Sequence, residues 1–475
     1  MATEAPPPTL AGRDFPLGEP GFTYQDLHRD DRLADLDRAF LARLEREEPA
    51  LAERLRRYRA DPKSLDPLSL SKLLVDAARP LGRFVARLFG VEEEWRRQAA
   101  PALRDGVLFR FRRDFLVRRA ARAKLPEPLD AAAIAGAAES GRAVESLHPS
   151  LAWRDDPELA TSEMVVRLLE LESEFLAAIR QKKTPEVSAG TRSVARELAS
   201  AAAAAGLVAA PPDDDEGLLK LLESLLERYA VWSRVRREVP ERAAAIRDWP
   251  SFRLPETLDY QHLVETGRPR PDLPEERVGP EWRHRRREGF KLTDPRMTRR
   301  EVLGETHYCL ICHDREKDSC SKGFFDAKTD SWQKNPLGIP LKGCPLDEKI
   351  SEMHLLRREG DSIGALALVC LDNPMCPGTG HRICNDCMKG CIFQKQDPVN
   401  IPQAETGVLT DVLSLPWGVE IYGLLTRWNP LHPGRPYPLP YTGRKVLVVG
   451  LGPAGYTLAH YLLNEGCGVA GVDGL

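Results

Sequence analysis

The chain has 475 residues, a formal net charge of −3 and 29% charged side chains. A single hydrophobic core is not expected at that length, and two to four domains are. The near-neutral balance argues against a polybasic nucleic-acid binder and against an acidic, disordered chain.

The opening residues, Met1-Ala-Thr-Glu-Ala-Pro-Pro-Pro, lack the basic-then-apolar pattern of a signal peptide. Residues 1–22 are Pro- and Gly-rich and are expected to form a flexible N-terminus. From Asp31 to Trp249 the apolar period is helical. Leu33, Leu36, Phe40 and Leu44, then Leu51 and Leu55, recur at three- and four-residue steps. Similar patterns run through 68–89, 103–121, 163–179 and 218–235, and the acids Asp213 to Glu216 mark a helix start. Residues 23–250 are therefore expected to form an all-α domain, either a bundle with solvated charged faces or a docking surface for a partner.

The apolar run 199–210 is closed by Pro211-Pro212 and falls short of the roughly 20 residues that span a bilayer. No membrane span and a cytoplasmic, reducing compartment are expected. Residues 251–303 read as a polar linker. Its basic run, Arg283-His-Arg-Arg-Arg287, has no aromatic or Gly-rich company, so no nucleic-acid partner is expected.

Nine of the ten cysteines then fall in one stretch: Cys309, Cys312, Cys320, Cys344, Cys370, Cys376, Cys384, Cys387 and Cys391. Such density calls for a disulfide framework, a metal or a cluster. Cys309-x-x-Cys312 and Cys384-x-x-Cys387 each put two sulfurs on one tight loop. Two structural zincs, helped by His307, His313, His354 or His381, would use this set. So would two iron–sulfur clusters of three or four thiolates each. Cys344-Pro345 and Cys376-Pro377 favour the clusters, because proline ends a helix and leaves the sulfur on a loop. A thiol-redox site is the third reading.

The order Cys-x-x-Cys, a third Cys, Gly-Cys-Pro-Leu, a helical stretch, Cys-Pro, Cys-x-x-x-Cys and Pro-Val-Asn-Ile-x-x-x-Glu resembles one family module. It is similar to the N-terminal iron–sulfur domain of the glutamate synthase small subunit and of dihydropyrimidine dehydrogenase. The resemblance covers roughly residues 305–473. It implies a helical domain over 304–429 with two 4Fe-4S clusters, followed by an FAD domain. It places Cys309, Cys312, Cys320 and Cys391 on the first cluster. Cys344, Cys376 and Cys387 would hold the second, with Glu405 as an oxygen ligand. Cys320 and Cys344, adjacent in the family, are here split by an insert containing Trp332. Cys370 and Cys384 are left over, and Cys384 is an alternative to Cys387.

Residues 430–475 carry a glycine fingerprint. Val446–Val449 reads as a buried strand, followed by Gly450-Leu-Gly452-Pro-Ala-Gly455, a helix through Leu458 and Leu462, and a second strand, 469–472. Gly450 would make the tight turn, Gly452 admit a pyrophosphate and Gly455 let helix meet strand. Asp473 would bind ribose hydroxyls. This is the first βαβ of a Rossmann-like α/β domain, and position after the module implies FAD. The remaining FAD and NAD(P)H domains are expected in the same or another chain.

The fold class expected is thus multidomain: an all-α first half, a helical dicluster module and the start of a Rossmann-like domain. The function expected is an iron–sulfur flavoprotein oxidoreductase passing electrons between NAD(P)H, FAD and two clusters to an acceptor domain or subunit. No catalytic residue stands out. The competing reading is a non-enzymatic zinc-binding interaction module.

Overall fold

The structure is a computed structural model. It describes residues 14–148, 155–180, 186–281, 284, 288–290, 295–315, 317–380 and 383–474. These residues are mostly helical, with two two-stranded sheets and no closed sheet. None of the helices is long and apolar enough to cross a membrane. The chain forms two compact units, Met1–Leu103 with Glu256–Leu475, and Arg104–Pro255. The units therefore meet at 103/104 and at 255/256.

The first unit begins with residues 14–29. Pro16 and Thr23 form an antiparallel bridge, Gly18 N donates to Leu88 O at 2.8 Å, and Phe22 is buried. Residues 14–22 of the expected flexible tail are thus held by backbone bonds and by Leu17 and Phe22 on the core. α1 (Asp30–Glu47), α2 (Pro49–Ala60) and α3 (Pro67–Leu88) follow. Asp66 caps α3 by accepting from the amides of Leu68 and Ser69, with Pro67 at the first helical position, where a missing N–H costs nothing. α4 (Glu92–Arg110) contains the boundary between the units.

The second unit holds a π-helical turn at Phe111–Val117, α5 (Ala131–Glu145), α6 (Pro157–Ile179), α7 (Ala189–Ala204) and α8 (Asp215–Glu238). Its core gathers Phe111, Phe115, Phe175, Leu222 and Tyr229, all essentially inaccessible. Glu145 accepts from Tyr229 Oη at 3.0 Å, Trp232 Nε1 at 3.3 Å and Arg236 Nη1 at 3.0 Å, so the polar tips of buried aromatics are satisfied. The expected helix start at 213–216 is Asp214 capping α8, its carboxylate taking the Gly217 amide at 2.6 Å.

The first unit resumes with α9 (Arg299–Tyr308), which opens on a capping box between Thr298 and Glu301. The basic run at 283–287 lies outside the described residues except for His284. A hairpin of β1 (Phe325–Asp326) and β2 (Ser331–Trp332) fills the insert between Cys320 and Cys344. α10 (Ile350–Arg358), α11 (Ser362–Asp372), α12 (Ile401–Leu413) and α13 (Gly418–Leu425) complete the helical layer. α11 packs on α3, and Phe40, Phe84 and Trp428 meet with ring centroids 5.5 to 6.2 Å apart. Arg59 seals this core, pairing with Asp37 at 2.9 Å and donating to Pro430 O at 2.8 Å. One core therefore joins the first hundred residues to the cysteine-rich segment.

At the end, β3 (Lys445–Val449) and β4 (Gly468–Val472) pair in parallel from Lys445↔Gly468 to Val449↔Val472, connected by α14 (Pro453–Asn464). Leu447, Val449, Leu458 and Leu463 stay exposed on this unit.

Candidate metal centre and nucleotide loop

Three loop crossings build the cysteine site. Gly323 and Gly343 are both left-handed, at φ 73° and 78°. A Cβ on Gly343 would lie 2.4 Å from Gly323 N and 2.7 Å from Ser321 O. Gly390 approaches as closely: its Cβ would sit 2.5 Å from Ser319 O and 2.9 Å from Gly343 Cα. Only residues without side chains let these backbones touch. Gly343 precedes Cys344, Gly390 precedes Cys391, and Ser319 precedes Cys320, so the crossing gathers three distant cysteines. Cys344 N donates to Cys320 O at 2.8 Å, which closes the gap left by the hairpin insert.

The two Cys-x-x-Cys loops share one device. Ile311 N donates to Cys309 Sγ at 3.4 Å, and Asp386 N to Cys384 Sγ at 3.5 Å. Ile311 holds φ at 51°, a strained conformation for a β-branched residue and one that cores do not need. Arg358 fixes the first loop from behind, donating to Cys309 O at 2.7 Å and Thr306 O at 3.0 Å. Tyr308 stacks on Phe393 at 4.5 Å, tying the loop to the segment after Cys391.

The thiols fall into two neighbourhoods. Cys309 lies within electrostatic range of Cys391 and Cys312, and Cys320 within range of Cys309, Cys391 and Cys387. Cys387 faces Glu348, Cys344, Glu405 and Cys384, while Cys376 faces Cys370 and Glu348. All ten cysteines are free thiols. Burial pushes Cys309 up to about 11 and Cys344 up to about 12. Among the described residues no three His, Cys, Asp or Glu side chains stand where they could hold one metal ion. A four-iron cluster imposes a different demand, since each ligand binds its own iron and the donors ring a volume. The chemistry of the donor set suits such a group: soft thiols, a backbone N–H on the Cys309 sulfur, and apolar cover from Ile350, Val399 and Ile401.

Glu405 sits on α12 and is half-buried, unlike an ordinary surface acid. Asn373 Nδ2 donates to its Oε1 at 2.9 Å, and Glu348 shares a hydrogen bond with it. Burial holds both carboxyls above the usual range, Glu348 at about 7. Sequence reasoning missed Glu348 and Asn373. The signal was their offset: Glu348 lies four residues after Cys344, and Asn373 three before Cys376. Cys384 is exposed whereas Cys387 is buried.

The histidines considered as zinc helpers have other surroundings. His313 Nε2 is 2.8 Å from Pro67 O and its Nδ1 faces Asp318 and Glu352 at 3.5 and 3.4 Å. The Asp318 hydrogen bond raises it to about 9. His354 is wholly buried and driven down to about 3 by desolvation, so it is neutral. His307 lies on α9, and His381 is outside the described residues.

The glycine loop lies between β3 and α14. Gly450 takes φ 91°, and a Cβ on Gly455 would lie 1.7 Å from Gly450 O, so turn and helix–strand contact both depend on glycine. Space around Gly452 is open. Asp473 ends β4, but its Oδ2 accepts from Leu451 N at 2.9 Å, so the carboxylate braces the loop.

Comparison with known proteins bears on this arrangement. Residues 17–90 match a family described as the RP005 N-terminal alpha-helical domain. The chain is 58% identical over 101 residues to the uncharacterized protein RP006 of Rickettsia prowazekii (strain Madrid E), covering 21% of this chain and 14% of that protein. It is 36% identical over 115 residues to RP005 of the same organism, covering 23% and 35%. It is also distantly similar, 32% identical over 132 residues, to the glutamate synthase (NADPH) small chain of Mycobacterium tuberculosis, covering 27% and 24%. The chain thus spans between 14% and 35% of the length of these curated relatives. No solved structure gives a significant match.

Proposed function

We propose that the chain carries two 4Fe-4S clusters and the start of an FAD site, and serves in an oxidoreductase akin to the glutamate synthase small chain. Cys309, Cys312, Cys320 and Cys391 would hold one cluster, and Cys344, Cys376, Cys387 and Glu405 the other. Such groups supply one-electron storage beside a flavin that exchanges hydride with NAD(P)H. The observation that carries the reading is the glycine crossing at 323, 343 and 390, with Cys320 in range of Cys391 and Cys344 in range of Glu348 and Cys387.

The chain's own residues then have definite work. The amide of Ile311 donates to the Cys309 sulfur, which favours the thiolate. Ile350, Val399 and Ile401 pack with Cys320, Cys387 and Cys391 and shield those thiols from water. Asn373 orients Glu405. Gly450, Gly452 and Gly455 leave the α14 amides open to a phosphate, the ordinary role of a helix N-terminus in this setting. An acceptor domain or subunit would take the electrons.

Iron, acid-labile sulfide and zinc per chain after anaerobic purification test this. About eight iron and eight sulfide are expected for two such clusters. Zinc without sulfide would remove the electron path and the proposal with it.

A further inference from the structure

A pocket of about 570 Å³ opens beside the entry to α9, away from the thiols, and its walls are α9, α10 and α12. Among the described residues three guanidinium groups line it, from Arg296, Arg299 and Arg357, against one carboxylate, Asp411. Arg357 forms the floor. Its side chain is only 5% exposed, its Nη1 is 2.7 Å from Asp411 Oδ2, and its Nε has no hydrogen-bond partner among the described residues. Arg299 Nε reaches the other oxygen of the same carboxylate at 3.0 Å. Arg296 Nη1 donates to Thr410 Oγ1 at 2.8 Å. Glu301 adds no compensating charge here, since it is not among the lining residues and its carboxylate closes the α9 cap.

Two features make this a formed site. Among the described residues three guanidiniums face one carboxylate, an excess of two positive charges, and the buried Arg357 keeps a free donor. The second is Gly407, in the middle of α12, where glycine is a poor helix former. A Cβ there would stand 3.0 Å from Val302 Cγ1 and 3.1 Å from Arg357 Nη2. The missing side chain leaves the floor open to the guanidinium.

We propose that this pocket binds a phosphate group. A charge excess of two matches a phosphate dianion better than a singly charged carboxylate, and guanidinium forks are well suited to its oxygens. The size is that of a small-molecule site, so either a nucleotide or free phosphate could supply the group.

Calorimetric titration of the full chain with inorganic phosphate, ADP and acetate tests the assignment. Saturable phosphate binding is expected, weakened at least tenfold in Arg299→Gln and Arg296→Gln, with acetate unable to compete. Both arginines are exposed, so the variants should fold, and circular dichroism checks that they do. Gly407→Ala keeps every charge and should weaken phosphate comparably by crowding Arg357. Loss in these variants separates the pocket from the loop at Gly450. ADP binding that is tighter than phosphate and lost in the same variants assigns the group to a nucleotide. Equal affinity assigns it to free oxyanion. Phosphate binding that is absent at tens of millimolar, or undiminished in all three variants, overturns the proposal.

Discussion

The backbone crossing at Gly390 can be tested by adding one methyl group. Gly390 has φ −81°, which alanine adopts freely, so no conformational strain enters. The new Cβ would lie 2.5 Å from Ser319 O. Even an attractive C–H···O contact needs about 3.3 Å, so two backbones must part by roughly 0.8 Å. Overpacking of that order costs about 1–3 kcal/mol. The entropy lost by the unfolded chain on replacing glycine returns about 0.4–1 kcal/mol. Gly390→Ala should therefore destabilise by about 1–2 kcal/mol. Gly423→Ala is the control: it lies in α13 with nothing within 4 Å and should stabilise by about 0.5–1 kcal/mol. Denaturant unfolding of both variants gives the comparison, and iron retention gives a second readout, since parting these strands separates Cys320 from Cys391. Should Gly390→Ala prove as stable as Gly423→Ala and retain iron as wild type does, the crossing does not gather the cysteines.

Three further outcomes are expected. Asp411→Asn leaves Arg357 charged, 5% exposed and without its counterion, and should cost about 3–5 kcal/mol in denaturant unfolding. Replacing both partners with apolar residues of similar volume should recover most of the loss. Asp361 is fully buried at the start of α11, and desolvation raises its carboxyl to about 7 against the opposing amide of Gly364 and the more distant Arg83 and Arg79. Because the folded state holds the proton more tightly, its contribution is complete below about pH 4. It fades as pH rises to about 7, by about 1.4 kcal/mol per pH unit. Asp361→Asn should flatten that slope in unfolding measured across this range. Finally, Cys312→Ser and Cys387→Ser should each halve iron and sulfide. Glu405→Gln should retain both while shifting one cluster's potential in a redox titration.

The sequence revealed local structure well and partnership poorly. The periods at Leu33–Leu44 and 218–235 became α1 and α8 because an apolar stripe at helical spacing must face a core wherever that core lies. Which helices share a core was not legible. α3 packs on α11, and Phe40 of α1, Phe84 of α3 and Trp428 after α13 meet, and nothing in a local window marks contacts so distant in the chain. The two Cys-x-x-Cys loops and the glycine loop were legible because their chemistry is written at fixed short spacing. Glu348 was not, since an acid beside a Cys-Pro turn looks solvated until α12 covers it. The ordering of residues 14–22 was missed because Phe15, Leu17 and Phe22 are scattered among Pro and Gly with no helical or strand period.

The shared core also sets a schedule for biosynthesis. α3 leaves the ribosome with its apolar face uncovered, and Trp428 emerges about 340 residues later, roughly 20–70 s at ordinary elongation rates. Every thiol between Cys309 and Cys391 has by then already emerged. The nascent chain therefore presents sticky helices and reactive sulfur together, before the aromatic keystone that locks them exists. Under the proposed function, iron delivery and chaperone protection fall within the same interval.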